Sequence, residues 1–215
     1  MFNGVLKKMI TEFGTEIKYY LVMENDFIFF NSLFDKNITI NFNGYSCLNC
    51  GSSEEIFRQG HCKKCFFDLP STAEWIIRPE MSKAHLGIED RDLEYEKQVQ
   101  IQPHILYLAY TSGIKIGVTR KSQVPTRWID QGAVKAVEII EVPNRYLAGI
   151  SEIKLKEKYN DKTNWREMLK TSTTDVDLLK EKSECLNYLP NEVLQYISKN
   201  SICLLYTSDA ADEDL

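Results

Sequence analysis

Apolar and polar positions alternate through the N-terminal part of the chain. The runs GTEIKYYLVM, DFIFF and NITINF are rich in β-branched and aromatic residues, and turn-forming residues at 13–15, 24–26 and 35–37 separate them. Alternation with a period of two, broken by such turns, is typical of short antiparallel strands. The pattern therefore predicts a small antiparallel β unit within a first region, residues 1–70.

Apolar residues predict a second sheet over residues 104–202. HILYLAY and IKIGVT read as two strands around a Thr-Ser-Gly turn, and AVEIIEV reads as a third strand. Pro125 suits the first turn of a short helix that ends at Gly132, and Asn144 is suited to cap the helix RYLAGISEIKLKEKY. Strands followed by helices predict an α+β fold, in which a small sheet has flanking helices.

Three further segments complete this reading of the helices. One helix is expected from about Asp161, and residues 175–187 and 190–199 are expected to form a helical end. Residues 71–103 hold the charged stretch GIEDRDLEYEKQ, which could form a surface helix. Seven acidic residues face four basic ones in that region, so we interpret it as a connector and not as a phosphate-binding surface.

The chain carries no signal for export or membrane insertion. No apolar run approaches the roughly 20 residues that span a bilayer, and Lys7, Lys8 and Glu12 interrupt the apolar residues of the N-terminus. We therefore expect a cytoplasmic protein without membrane contact, in which thiols stay reduced.

Four cysteines predict a metal site in the first region. Cys47 and Cys50 form one Cys-x-x-Cys pair, and Cys62 and Cys65 form a second pair after eleven intervening residues. Four thiolates favour tetrahedral zinc and leave no position for water, so the expected site is a structural zinc ribbon. A redox dithiol and an iron–sulfur cluster are the alternatives, although a redox motif needs only one pair. His61 is expected to be a loop residue, since the cysteines fill the shell.

The last residues change the charge balance. Residues 203–215 include CLLYTSDAADE, which resembles the translation of a common sequencing adapter, so we expect a foreign tail and a natural product truncated near Ile202. An ordinary acidic tail is the alternative. The whole chain has a net charge of −5, and the tail holds four acidic residues and no basic one, so the rest carries −1. The acidity that would disfavour an anionic partner therefore lies mostly in the tail.

The block ILYLAYTSGIKIGVTRKSQVPTRWIDQGA resembles the core of the GIY-YIG nuclease superfamily. Tyr107 matches the tyrosine of the first motif, and Gly117 matches the end of the second motif. Arg127 matches the arginine of the following helix, and Glu152 matches the metal-binding glutamate of the next long helix. Lys115 departs from the pattern, because the second motif has a tyrosine there.

A longer resemblance covers the chain from Tyr45 to about Leu189. The cysteine pairs, PE followed by KAHLGIEDRD, RWIDQGA and DKTNW look like the uncharacterised bacterial family called domain of unknown function 2797. This resemblance implies fold and kinship and no established activity.

The GIY-YIG resemblance implies phosphodiester hydrolysis. Tyr107 would orient or deprotonate water, Arg127 would clamp a phosphate, and Glu152 would hold a magnesium ion. Each residue also has a structural interpretation. Tyr107 could be a packing residue of its strand, Arg127 could pair with Asp130, and Glu152 could pair with Lys156 on a solvated helix face.

Charge gives an independent indication of the partner. Residues 104–170 contain twelve Lys and Arg against seven Asp and Glu, as expected for a nucleic-acid footprint or for lysine-rich surface helices. The candidate nucleic-acid-binding residues are Lys115, Arg120, Lys121 and Trp128, although Trp128 could equally anchor the core.

These patterns lead to one leading hypothesis and two alternatives. The first is a zinc-ribbon protein that binds nucleic acid, with a divergent metal-dependent nuclease activity as its enzymatic form. The second is a non-catalytic module for protein or RNA contacts on the same fold. The third is an enzyme of another class that uses the same pocket. The sequence carries no signal for the oligomeric state.

Overall fold

The computed structural model describes residues 2–159, 166 and 176–205, which divide into two compact units. The first unit runs to Ala73, and the second begins at Glu74. The helix expected from about Asp161 lies outside the described residues. None of the described helices is long and apolar enough to cross a membrane.

The first unit contains the expected antiparallel sheet. Its strands are β1 (Ile10–Glu12), β2 (Lys18–Val22) and β3 (Phe27–Phe29), with β2 in the centre. The run NITINF is not a strand, which corrects the prediction for residues 37–42. Its apolar residues stand in solvent, with Ile40 83% exposed, because alternation by itself supplies no partner strand.

The sheet of the second unit has the strand order β5-β4-β6-β7 and is antiparallel throughout. It comprises β4 (His104–Tyr110), β5 (Ile114–Arg120), β6 (Lys135–Val142) and β7 (Cys203–Leu204). Every residue of β4 is buried, as expected for a central apolar strand with both faces covered. Strand β5 lies at the edge of the sheet and pairs with β4 so that Tyr107 faces Gly117.

Helices flank this sheet, and three of the four named here begin at side-chain caps. The second unit contains α2 (Leu93–Gln100), α3 (Thr126–Ile129), α4 (Arg145–Lys156) and α5 (Leu178–Cys185). The Asn144 side chain accepts a hydrogen bond from the Leu147 amide at 3.0 Å, which satisfies a free N–H group at the start of α4. Residues 191–196 form a 3-10 helix where the sequence predicts a regular one.

The core lies between the sheet and helices α4 and α5. Leu106 and Leu108 of β4 pack in one cluster with Ala148 and Leu155 of α4 and with Cys185 of α5. Cys185 is fully buried, so its thiol acts as a small apolar group.

The region predicted as a connector supplies part of the second unit from Glu74 onward. A Cβ atom on Gly149 of α4 would come within 2.3 Å of the Glu80 backbone nitrogen, so only glycine allows this close approach. Glu96 is buried and accepts hydrogen bonds from the amides of Asp90, Arg91 and Asp92. These contacts hold the acidic segment in place beside α4.

The end of the described chain adds a short strand. Lys135 pairs with Leu204, and the Leu205 amide donates to the Val134 carbonyl at 2.8 Å. Leu205 is 1% exposed. The adapter origin of residues 203–215 stays a prediction.

Candidate functional site

The four cysteines of the first unit meet at one point. The sulfurs of Cys47, Cys50, Cys62 and Cys65 all lie within 4.8 Å of one another. A tetrahedral zinc ion with bonds of about 2.3 Å would hold its sulfurs roughly 3.8 Å apart. Cys50 Sγ and Cys62 Sγ are 3.8 Å apart, so this edge of the cluster fits the expected geometry.

Two tight turns bring the cysteine pairs together. Gly51 has a φ of +71° and donates its amide to the Cys47 carbonyl at 2.9 Å, which closes the first pair into a knuckle. Gly60 has a φ of +80°, and a Cβ there would lie 2.3 Å from Leu48. The second pair then enters helix α1 (Lys63–Asp68).

Hydrogen bonds favour the thiolate form of Cys47. The Cys50 amide, together with those of Cys62 and Asn49, holds the pKa of the Cys47 thiol at about 5 despite its burial. The thiolate is the form that binds metal, so Cys47 is ready to ligate at neutral pH. His61 hydrogen-bonds Cys47 and is not one of the four ligands, in line with its expected place in a loop. The four cysteines could therefore hold a metal ion such as zinc.

The second unit brings Tyr107, Arg127 and Glu152 into electrostatic contact. The Tyr107 hydroxyl donates to Gln131 Oε1 at 2.9 Å, and the charge of the Arg127 guanidinium acts on Tyr107. A Cβ at Gly117 would lie 2.6 Å from this hydroxyl, so the glycine leaves the space that the phenol occupies. Sequence reasoning missed Gln131, which carries no motif signal of its own.

Burial dominates the chemistry of Tyr107. Loss of contact with water raises the pKa of Tyr107 to about 12, although the charge of Arg127 opposes the shift. The charge of the Glu152 carboxylate also raises the pKa of Tyr107. Tyr107 is 0% exposed and contacts Trp128 edge to face at 5.8 Å, so it also packs in the core, as the structural interpretation expected.

Glu152 lies on α4 and is 7% exposed. Its Oε2 atom is 3.2 Å from Lys156 Nζ, one helical turn further on. The ion pair of the structural interpretation is therefore present, but it lies on a buried side of the helix and not on a solvated face. The charge of this carboxylate also acts on Arg145 and raises its pKa.

Arg145 is a member of this cluster that the sequence reasoning missed. Its Nε and Nη2 atoms donate to the carbonyls of Trp75 and Ile76 at 3.1 and 2.7 Å, and its guanidinium lies 5.8 Å from the centre of the Trp75 ring. Burial lowers the pKa of Arg145 to about 10, while the charge of Glu152 raises it. The sequence did contain a signal for it: Arg145 lies in the first turn of a helix, where a cation opposes the helix dipole and is therefore unusual.

His104, the first residue of β4, completes the group. His104 is paired with Arg120 of the neighbouring strand β5 and is 0% exposed. Its Nδ1 atom lies 2.7 Å from the Gln102 carbonyl oxygen. Burial lowers the pKa of His104 to about 4, and the charges of Arg145 and Arg120 lower it further. A carbonyl can only accept, so Nδ1 carries the proton, and the buried Nε2 atom has no partner among the described residues.

Comparison with known proteins gives one decisive match. The model of the family described as "Protein of unknown function (DUF2797)" matches residues 35–211. The chain belongs to this family. No curated protein and no solved structure matches the chain.

The DUF2797 match covers both clusters. It includes the four cysteines and the residues around Tyr107, while strands β1 to β3 precede it.

In this family member, the four candidate nucleic-acid-binding residues differ in their surroundings. Lys115 and Trp128 are 6% and 3% exposed, so Trp128 offers no open ring face for stacking. Lys121 pairs with Glu141 at 2.7 Å, and Arg120 is half-buried beside His104.

Proposed function

We propose that the second unit binds the phosphate backbone of nucleic acid, with Arg127 as its main phosphate contact. The observation that carries this proposal is the placement of Arg127. Arg127 is exposed, its charge acts on the buried Tyr107 hydroxyl, and it has no carboxylate within ion-pair distance in the part of the chain that the structure describes. Such a guanidinium can present two parallel N–H groups to phosphate oxygens.

The order of the residues along the chain supports the same proposal. Tyr107, Gly117, Arg127 and Glu152 resemble the GIY-YIG pattern, and these residues lie in one cluster although 45 positions separate the first from the last. The basic character of residues 104–170 adds an attractive field for a polyanion.

Binding is tested with labelled single-stranded DNA and RNA by fluorescence anisotropy. Arg127→Gln should weaken binding about tenfold, the range of a charge-assisted contact. Lys97→Gln is the matched control, because the Lys97 side chain is 42% exposed, its ion pair among the described residues is with Glu94 at 3.2 Å, and the substitution loses the same charge. Equal affinity of the Arg127 variant and wild type would refute this role for Arg127.

Cleavage is the second candidate function, and Glu152 is the residue that favours it. Magnesium in proteins often uses one or two carboxylates, with water and substrate phosphate as the other ligands. The buried Glu152 carboxylate fits such a site if the ion displaces Lys156 from its 3.2 Å contact. Bound there, magnesium would neutralise the charge that develops on the phosphate.

Two observations favour a non-catalytic module over a nuclease. Burial keeps the pKa of Tyr107 at about 12, so its hydroxyl is a hydrogen-bond donor at neutral pH and a poor acceptor of a proton from water. Lys115 stands where the resembled motif has its second tyrosine. The geometry therefore supports binding more directly than hydrolysis.

A cleavage panel separates the two candidates. Purified protein with magnesium is incubated with single-stranded, double-stranded and branched DNA and with RNA. A nuclease would cut at least one substrate, and Glu152→Gln would abolish the cut while Lys97→Gln would keep it. Intact substrates in every reaction, together with salt-sensitive binding, would leave the non-catalytic module as the function.

We also propose that the ion of the four-cysteine cluster is zinc with a structural role. Four thiolate ligands fill a tetrahedral shell, so no position remains for water or substrate. The ribbon would then fold the first unit, and the chemistry of phosphate recognition would belong to the second.

A further inference from the structure

The Arg145 guanidinium is fixed before any ligand arrives. Two backbone carbonyls, at 2.7 and 3.1 Å, and the face of Trp75 hold it in one orientation. An arginine that is already ordered loses little conformational entropy when it binds an anion. Its place in the first turn of α4 opposes the helix dipole, so the fold retains it there against an electrostatic cost.

Two cations and two carboxylates act on Arg145. The charges of Arg120 and Arg127 lower its pKa, and those of Glu152 and Glu80 raise it. Both carboxylates are already shared with other cations, because Glu152 contacts Lys156 at 3.2 Å and Glu80 contacts Arg78 at 3.0 Å. Across the described residues, Arg120, Arg127 and Arg145 make no ion pair with a carboxylate. These three guanidiniums therefore have charge available for an anion, and an anion with more than one negative charge would contact more than one of them.

An unsatisfied buried atom lies in the same place. His104 Nε2 is buried without a hydrogen-bond partner within the described part of the chain, and both Arg120 and Arg145 act electrostatically on this ring. Buried polar atoms of folded proteins normally find a partner, so this one points to a ligand or to water carried in with it. Arg120 lies opposite His104 in the sheet, three positions beyond Gly117, which faces Tyr107.

We propose that Arg120 and Arg145 form a second phosphate subsite beside Arg127, so that the ligand must present at least two neighbouring phosphate groups. This inference rests on the proposed binding of a nucleic-acid backbone and specifies it further. One strand of a duplex carries a phosphate about every 3.4 Å along the axis, so a second cationic group beside Arg127 can meet the neighbouring phosphate. A single free phosphate would fill only half of the site.

Pyrophosphate and orthophosphate distinguish a double from a single subsite. Thermal unfolding is followed by tryptophan fluorescence at constant ionic strength, because residues 1–73 contain no tryptophan and Trp75 and Trp128 lie within the second unit. A ligand that binds the native state raises its midpoint. We expect pyrophosphate to raise the midpoint clearly more than orthophosphate at equal concentration.

Two variants locate this effect. Arg120→Gln removes a side chain without an observed ion pair, and Arg145→Lys keeps the charge but loses the fixed fork. Each should lose at least half of the extra shift with pyrophosphate and keep the shift with orthophosphate, while Lys97→Gln should keep both. Equal shifts with the two anions in wild type, or full shifts in both variants, would overturn the inference. If pyrophosphate behaves as expected but no oligonucleotide binds, the proposed function fails and the double anion subsite stands.

Discussion

His104 should make the second unit sensitive to acid in a defined pH range. Burial, with the charges of Arg145 and Arg120, lowers its pKa from 6.5 to about 4 in the folded state. The unfolded chain therefore binds a proton from about pH 6.5 downward, while the folded unit resists it until about pH 4. Stability is fully present above pH 6.5 and falls as the pH drops through this range.

The magnitude follows from the size of the shift. A difference of roughly 2.5 pKa units corresponds to about 3 kcal/mol of unfolding free energy, of which about 2 kcal/mol is lost by pH 5. The ring is 0% exposed, so solvent screening takes little from this value. Such a loss is a large share of the stability of a small domain.

Urea unfolding at pH 8 and pH 5 measures the effect, with tryptophan fluorescence as the probe of the second unit. His104→Asn is the test variant, since its side-chain amide can still donate to the Gln102 carbonyl but does not titrate. Wild type should lose about 2 kcal/mol more than this variant between the two pH values. His85→Asn is the control and should behave like wild type. An equal loss in wild type and His104→Asn would refute the assignment.

Three further predictions test the packing and the metal site. Gly117→Ala should destabilise the second unit by about 1–3 kcal/mol and weaken oligonucleotide binding, because the added Cβ would lie 2.6 Å from the Tyr107 hydroxyl. Gly113→Ala is the control for both measurements, because a Cβ added there has no atom within 4 Å. Gly149→Ala should lower the unfolding midpoint, because the added Cβ would lie 2.3 Å from the Glu80 backbone nitrogen. Alanine by itself favours a helix over glycine by about 1 kcal/mol, so a raised midpoint would show that α4 is not packed this closely. Purified protein should contain one zinc ion per chain. Cys50→Ser or a chelator should release the ion and unfold the first unit, while the tryptophan fluorescence of the second unit stays unchanged. A zinc content far below one per chain in wild type would contradict the zinc assignment.

The elements that sequence predicted best are those fixed by local chemistry. An apolar run of seven residues becomes the buried strand β4, and Asn144 caps α4 through its own side chain. The paired spacing of the cysteines likewise implies one cluster, because each knuckle is a local turn. Such features depend on a few neighbouring residues and need no knowledge of the rest of the chain.

The features that sequence could not give depend on distant contacts. The acidic residues 71–103 read as a connector, yet Glu80 packs on Gly149, 69 positions away. Trp128 read as a stacking residue or a core anchor, and only the edge-to-face contact with Tyr107 places it in the core. The role of Arg145 depends on the carbonyls of Trp75 and Ile76, which no local pattern announces.

Salt dependence of nucleic-acid binding tests the central claim most directly. The affinity of the wild-type protein for a labelled single-stranded oligonucleotide is measured over a series of salt concentrations. Three arginines that neutralise phosphates should give a slope of about −2 in a plot of log affinity against log salt, since each contact on a single strand contributes roughly −0.7. A flat plot, or no binding even at low salt, would contradict phosphate recognition by this protein.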